Sequence, residues 1–319
     1  MALAAGFARR AHPPLACAAC VSLAMNGRLP CRSRAAGLSL VELMVSLLVG
    51  LIVVLAATSL LLSVQRSHAV QDDLLRLDEN ARFALEVLAR TVRHAGFAAP
   101  DDAAAPPASA AVLGIDAASL ARNSEGIADP QPSGVNASDV LAIRHAASGP
   151  FAVPNCAGFR GTAAGEARAS WSIFYVARDA EGEPQLYCKY EGEHGWNADA
   201  IVAGVEGFQV LYGIDGDGDG LPDRLLSAAA LGPPDATAAW RQVVMIRIAM
   251  LLRGQSRGEA TRVDEVHDLF GPAYGAEHAS DDAGVRLSEA ELSGQSGARM
   301  RRVVQATVYL RNAEAGRVR

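Results

Sequence analysis

The stretch Gly37-Leu38-Ser39-Leu40-Val41-Glu42-Leu43-Met44-Val45 decides how the rest of this chain is read. Arg28, Arg32 and Arg34 lie just before it. An apolar run to about Leu62 follows, and Glu42 is its only charge. At roughly 20–25 residues, such a run is long enough to cross a bilayer as a helix. A carboxylate costs about 2.5–3.5 kcal/mol at the centre of a membrane helix and less near an interface. Glu42 therefore marks a functional position, and the plainer alternative is an ordinary anchor or secretory signal with a chance Glu.

The arrangement resembles the class III signal of type IV prepilins: a basic leader ending in Gly, an apolar residue, then Glu as the fifth residue of the mature chain. On that resemblance Gly37 ends the leader, Leu38 becomes the new N-terminus and Glu42 takes the fifth place. The family usually has Phe or Met where this chain has Leu38. A start at Met25 gives a leader, Met25 to Gly37, of the short basic kind the family prefers, so residues 1–24 read as an over-extended start.

The 319 residues suffice for one large or two modest domains beside the apolar run. Residues 1–37 carry Arg9, Arg10, Arg28, Arg32 and Arg34 and no acid, so removing them takes the formal net charge from −6 to −11. An acidic exported domain argues against non-specific nucleic-acid binding, and no nucleic-acid partner is expected. Three of the five cysteines, Cys17, Cys20 and Cys31, precede Gly37, leaving Cys156 and Cys188. An even pair in an exported domain reads as one disulfide, with two buried free thiols as the alternative. The positive-inside rule puts residues 1–37 in the cytoplasm and everything after about residue 65 outside the inner membrane.

Leu77, Ala81, Ala84, Leu88, Val92 and Ala95 recur at helical spacing, and Gly96 follows as a C-cap. One helix is therefore expected from Leu38 to Ala95, membrane-spanning over 38–65 and amphipathic over 66–96. Residues 97–139 read as a connecting loop, and 140–319 as an antiparallel sheet domain. Strands are expected at Val140–His145, Ser172–Ala177, Gln185–Tyr190, Val205–Ile214, Val243–Leu252 and Val303–Arg311, with a hairpin turn at Asp179–Gly182. Residues 254–300 read as a long polar loop. Several strands after one long helix imply an α+β fold with the sheet packed on the amphipathic half.

The helix end Asn80–Phe97, the acidic loop Tyr212–Asp223 and the closing strand through Tyr309-Leu310-Arg311-Asn312 together resemble the PilW family of minor pilins. The resemblance implies a type IV pilin fold and a role in initiating the pilus. The implied partners are a prepilin peptidase, other minor and major pilins, the inner-membrane assembly platform and a tip adhesin. It also implies that Glu42 meets the N-terminal amine of a neighbouring subunit. A type II secretion pseudopilin shares the signal and the helix; a membrane-anchored calcium-dependent adhesin is a reading from another class.

Asp215-Gly-Asp217-Gly-Asp219-Gly220-Leu221-Pro222-Asp223 has the spacing of a calcium loop. Asp215, Asp217 and Asp219 fall at positions 1, 3 and 5, Leu221 offers a carbonyl, and Asp223 falls at position 9. Leu226 stands where an EF-hand has its bidentate Glu, so the pattern is nearer to extracellular D-x-D-x-D-G loops. The alternative is a solvated acidic turn. No His-Glu-x-x-His, Gly-x-Ser-x-Gly or Gly-Lys-Ser/Thr motif is present, and no enzymatic activity is expected. His267 reads as a surface histidine, and Trp171, Trp196 and Trp240 as core or sheet-face residues.

Overall fold

The computed structural model describes residues 39–97, 110–146, 152–160, 169–257 and 264–312. Gly37, Leu38, the three leader cysteines and the start at Met25 lie outside these residues. The chain divides into two compact units, Met1–Ser59 and Leu60–Arg319, which share one long helix. That helix, α1, spans Leu40–Arg93, 54 residues.

In the first unit α1 begins at a cap written in the sequence. The Ser39 hydroxyl accepts the N–H of Glu42 at 3.1 Å, and Glu42 stands three residues after Ser39 as in a capping box. An acid in the first turn also suits the helix dipole. Every described residue of this unit is solvent-exposed, Leu40 and Leu47 among them. The helix is long and apolar enough to cross a membrane. Its small polar side chains satisfy themselves: Ser46, Thr58 and Ser59 each donate to the carbonyl three residues back, at 2.8–2.9 Å. These three hydroxyls therefore need no water inside a bilayer.

In the second unit the rear of α1 buries the predicted stripe. Leu77, Ala81, Ala84, Leu88 and Val92 are buried, joined by Val87, Thr91 and Asp73. The helix ends on 3₁₀-type bonds from His94 and Ala95, and Gly96 takes a φ of +70° while its N–H bonds to Arg144. The strands that follow are β1 (Val112–Ile115), β2 (Ala118–Ser119), β3 (Gln131–Pro132), β4 (Val140–Ala146), β5 (Ala169–Arg178), β6 (Pro184–Gly192), β7 (Gly195–Ala203), β8 (Val205–Ile214) and β9 (Arg224–Leu226). Two short helices come next, α2 (Ala228–Leu231) and α3 (Thr237–Trp240), then β10 (Val243–Arg257) and β11 (Val266–Asp268). The described chain closes with α4 (Pro272–His278), β12 (Arg286–Ser288), α5 (Glu289–Ser296) and β13 (Arg299–Tyr309).

These strands form two main antiparallel sheets, where one was expected. The five-stranded sheet has the order β1-β4-β5-β6-β7 and the four-stranded sheet β13-β10-β8-β9; β2–β3 and β11–β12 are small ribbons. The main core lies among α1 and both sheets, with Leu88, Phe174, Leu186, Phe208, Ile246 and Met250 all inaccessible to solvent. Burying side chains of this size contributes about 1.5–3 kcal/mol each. The fold is therefore α+β, as its pattern indicated, and pilin-like, as the resemblance implied.

Two loop expectations differ from the structure. Residues 97–139 contain β1, which extends the five-stranded sheet by pairing Val112–Ile115 with β4. Leu120 from this stretch joins Ile173, Tyr175 and Tyr187 in a second core on that sheet. The stretch 254–300 carries β11, α4, β12 and α5, whose Leu269, Phe270, Val285 and Leu292 cover Leu211, Ala249 and Leu251. This second cover explains why β8 is buried along its whole length and why the front of β10 is mostly apolar: both faces are covered.

Candidate functional site

Three features carry chemistry: the head of α1, the acidic loop after β8, and the charges buried beneath the 264–300 cover. Glu42 is exposed in the first turn of α1, and its carboxylate has no ion-pair partner among the described residues. Its backbone role is local, through the Ser39 cap. The side chain is thus left for a partner outside the chain.

Asp73 is the opposite case. It is 7 % exposed on the buried stripe of the same helix. Its carboxylate accepts the N–H of Gln255 at 2.8 Å and that of Ser256 at 3.3–3.4 Å. Gly254 makes this approach possible, because a Cβ there would collide with the Asp73 carboxylate. The pattern of apolar spacing passed over Asp73; an acid on the helix's buried face, far in sequence from glycine-rich 254, offers no local signal.

In the acidic loop, oxygens of Asp215, Asp217 and Asp223 all lie within 4.8 Å of one another. Asp215 is buried and its two oxygens accept from Gly218 N at 2.6 Å and Gly220 N at 2.8 Å. Asp223 accepts from Gly216 N at 2.6 Å, and Asp217 from Asp219 N at 3.1 Å. Asp219 is not part of the convergent group; its carboxylate accepts from Leu221 N at 2.7 Å. The Leu221 side chain is exposed. Gly218 and Gly220, both at φ +87°, let the chain curl around Asp215. Backbone N–H groups thus already offset much of the carboxylate repulsion, and three oxygens of a hard-cation site converge.

Cys156 and Cys188 form a disulfide, with Cα atoms 5.9 Å apart. It ties the 152–160 segment to β6. The enclosed loop, a separation of 32 residues, corresponds to roughly 3–4 kcal/mol of unfolded-state entropy.

His267 is buried, against expectation, with Nε2 3.0 Å from Glu289 Oε2. Glu289 also binds Arg301 at 2.5 Å, and Arg301 reaches Glu206 at 2.6 Å. Arg253 meets Glu206 at 3.2 Å. The cover made by 264–300 removes these groups from water, so they pair with one another. Trp240 lies in the core as read, donating to Gly232 and Pro233 carbonyls, while Trp171 and Trp196 pack half-buried against the second core. Nearby, burial pushes the Asp282 carboxyl up to about 6, although the Tyr274 hydroxyl bonded to it pulls the other way. Burial likewise holds Asp139 well above the usual carboxylate range, even though Ala117 and Val210 donate to it.

Comparison with known families bears on both ends of the chain. Residues 32–58 match the prokaryotic N-terminal methylation motif, a span that includes Gly37, Leu38 and Glu42. Residues 173–312 match the family described as Type IV Pilus-assembly protein W, from β5 through β13. Neither the curated proteins nor the solved structures gave a match. With a methylation-type signal heading the long helix and the PilW match running from β5 through β13, the chain carries the two sequence marks of a type IV pilus-related pilin, PilW-like over residues 173–312.

Proposed function

We propose that this protein is a minor pilin that helps to start or prime a type IV pilus. Prepilin peptidase cuts after Gly37 and methylates the amine of Leu38. The chain then waits in the inner membrane with its C-terminal domain in the periplasm, and enters the filament at or near the tip. The observation that carries this reading is the position of Glu42. It falls in the first capped turn of a continuous apolar helix, fifth after Gly37, with its carboxylate unpaired within the described chain. In a filament the free amine of one subunit and the carboxylate of the next relieve each other's desolvation. Other minor and major pilins, the inner-membrane platform and a tip adhesin are the partners that fit.

The deciding experiment is intact-mass and N-terminal analysis of protein taken from membranes, with and without the peptidase. An N-methylated Leu38 terminus that disappears without the peptidase is expected. A chain that still carries its leader in both strains would reduce the helix to a plain anchor.

The convergence of Asp215, Asp217 and Asp223 supports a second, structural proposal: the loop takes up one calcium ion. Calcium added to chelator-treated protein should raise its melting temperature, and Asp215→Asn should abolish the rise. An unchanged melting curve would leave the loop as an acidic turn held by its own N–H groups.

A further inference from the structure

We propose that the free edge of β13, with the groove beside it, receives an extended segment of a different protein chain as an added strand. The site lies wholly in the sheet domain, so it stands or falls separately from assembly through Glu42.

β13 ends the order β13-β10-β8-β9, so one side of its backbone has no strand partner among the described residues. The N–H of Leu310 donates to Val244 on β10. In an antiparallel ladder bonding alternates along the strand. The even-numbered residues therefore bond to β10, and Val303, Gln305, Thr307 and Tyr309 turn their N–H and C=O groups to the open side. Natural edges are usually blunted by charge, proline, bulges or shortness. β7, the long edge of the other sheet, has Asp199 in mid-strand and a register shift between Leu186 and Tyr187 of its partner β6. β1 and β9 are only 4 and 3 residues long. The stretch from Val303 to Tyr309 has none of these devices: it reads Val-Val-Gln-Ala-Thr-Val-Tyr.

Beside this edge runs a groove of about 640 Å³, lined by Leu75, Ala81 and Leu85 of α1 and by Val304 of β13. Strand addition draws affinity from the main chain and specificity from pockets that take alternate side chains. The groove supplies such a pocket along the helix side of the strand.

Charge selects the occupant. Within the groove lining Asp78 holds Arg302 and Glu79 stands one turn from Arg82, so the groove carries no net charge, whereas Arg311 just past the strand has no ion-pair partner among the described residues. The incoming segment is thus uncharged along the groove, apolar at alternate positions and acidic at the end that meets Arg311. A second copy of β13 fits badly, since Val303 to Tyr309 lies between arginines and brings no acid to Arg311.

The test uses the full chain in detergent and the synthetic peptide Asp-Val-Thr-Val-Thr-Val-Asp. Amide-resolved hydrogen exchange is followed before and after peptide addition. The amides of Val303, Gln305, Thr307 and Tyr309 should slow by about tenfold or more, with those of Val304, Ala306 and Val308 unchanged. Thr307→Pro removes an outward N–H and leaves the β10 ladder intact, so it should abolish the slowing. If that variant folds poorly, a peptide N-methylated on the residues that would bond the edge serves instead with the unaltered protein, and it should fail to protect. Peptide that leaves the odd-numbered amides fast, or an N-methylated peptide that protects equally well, overturns the proposal. Odd-numbered amides already slow without peptide also overturn it; concentration dependence would then point to a second copy, and its absence to the chain's own C-terminus.

Discussion

Glu42 and Asp73 lie on one helix, each an acid on an otherwise apolar face. Asp73 finds its partners inside the chain, in the N–H groups of Gln255 and Ser256 beside Gly254. Glu42 has no ion-pair partner among the described residues and is exposed along with the rest of its unit. The same residue chemistry therefore does two jobs. A carboxylate satisfied internally fixes a helix in its own domain, and a carboxylate left open asks for another molecule. The sheet domain follows the first rule in the buried network of Glu206, Arg253, Glu289 and Arg301, and the front of α1 follows the second.

Breaking the internal charges should cost most. Arg301→Met leaves Glu206 and Glu289 buried without their shared guanidinium. Removing one partner of a buried pair costs about 3–5 kcal/mol, readable as a lowered urea midpoint from tryptophan fluorescence. An unchanged midpoint would mean the network contributes nothing net, and the domain would no longer contrast with Glu42.

Asp73→Ala should cost less, about 1–3 kcal/mol, because it strands two backbone donors that no longer have an acceptor. Amides on α1 from about Leu77 should exchange faster in this variant. If they do not, Asp73 is no fixture of the helix.

Asp282 sharpens the comparison through pH. Its carboxyl is raised to about 6, so between its ordinary value and that pH the folded chain holds a proton that the unfolded chain has lost. Stability therefore falls as pH rises through that window, and is greater on the acid side. Asp282→Asn should flatten part of this slope and raise stability at neutral pH by about 1–2 kcal/mol. Asp139, whose carboxyl burial also holds well above its ordinary range, keeps the remainder of the slope. A urea-midpoint series across pH checks both the sign and the size.

Glu42→Val should have the smallest effect on the sheet domain, within about 0.5 kcal/mol, as for a surface change. Its effect on incorporation into filaments should be severe. Normal incorporation would remove the distinction between the two acids.

Much of this was legible in the chain order of residues. The stripe Leu77, Ala81, Ala84, Leu88, Val92 is buried as its spacing indicates, and the six expected strands all lie on observed ones. Ser39 and Glu42 already spell a helix cap. What escaped reading was polar and distant. Asp73 looked like any charge after an apolar run, and His267 like a surface histidine in a polar loop. Each is defined by partners far along the chain, Gln255 and Ser256 for one and Glu289 for the other. Asp219 had the spacing of a ligand, yet its carboxylate accepts from Leu221 N and is not among the convergent oxygens of Asp215, Asp217 and Asp223.

The sequence by itself determined the long helix, its apolar front, the signal around Gly37 and Glu42, and the location of the main strands. These depend on period and length, which are properties of neighbouring residues. Only the tertiary structure decided that the strands split into two sheets, that 264–300 folds over the second of them, and that Asp73 and His267 go inside. Those outcomes depend on which apolar faces meet, and on a buried charge finding a partner once they do.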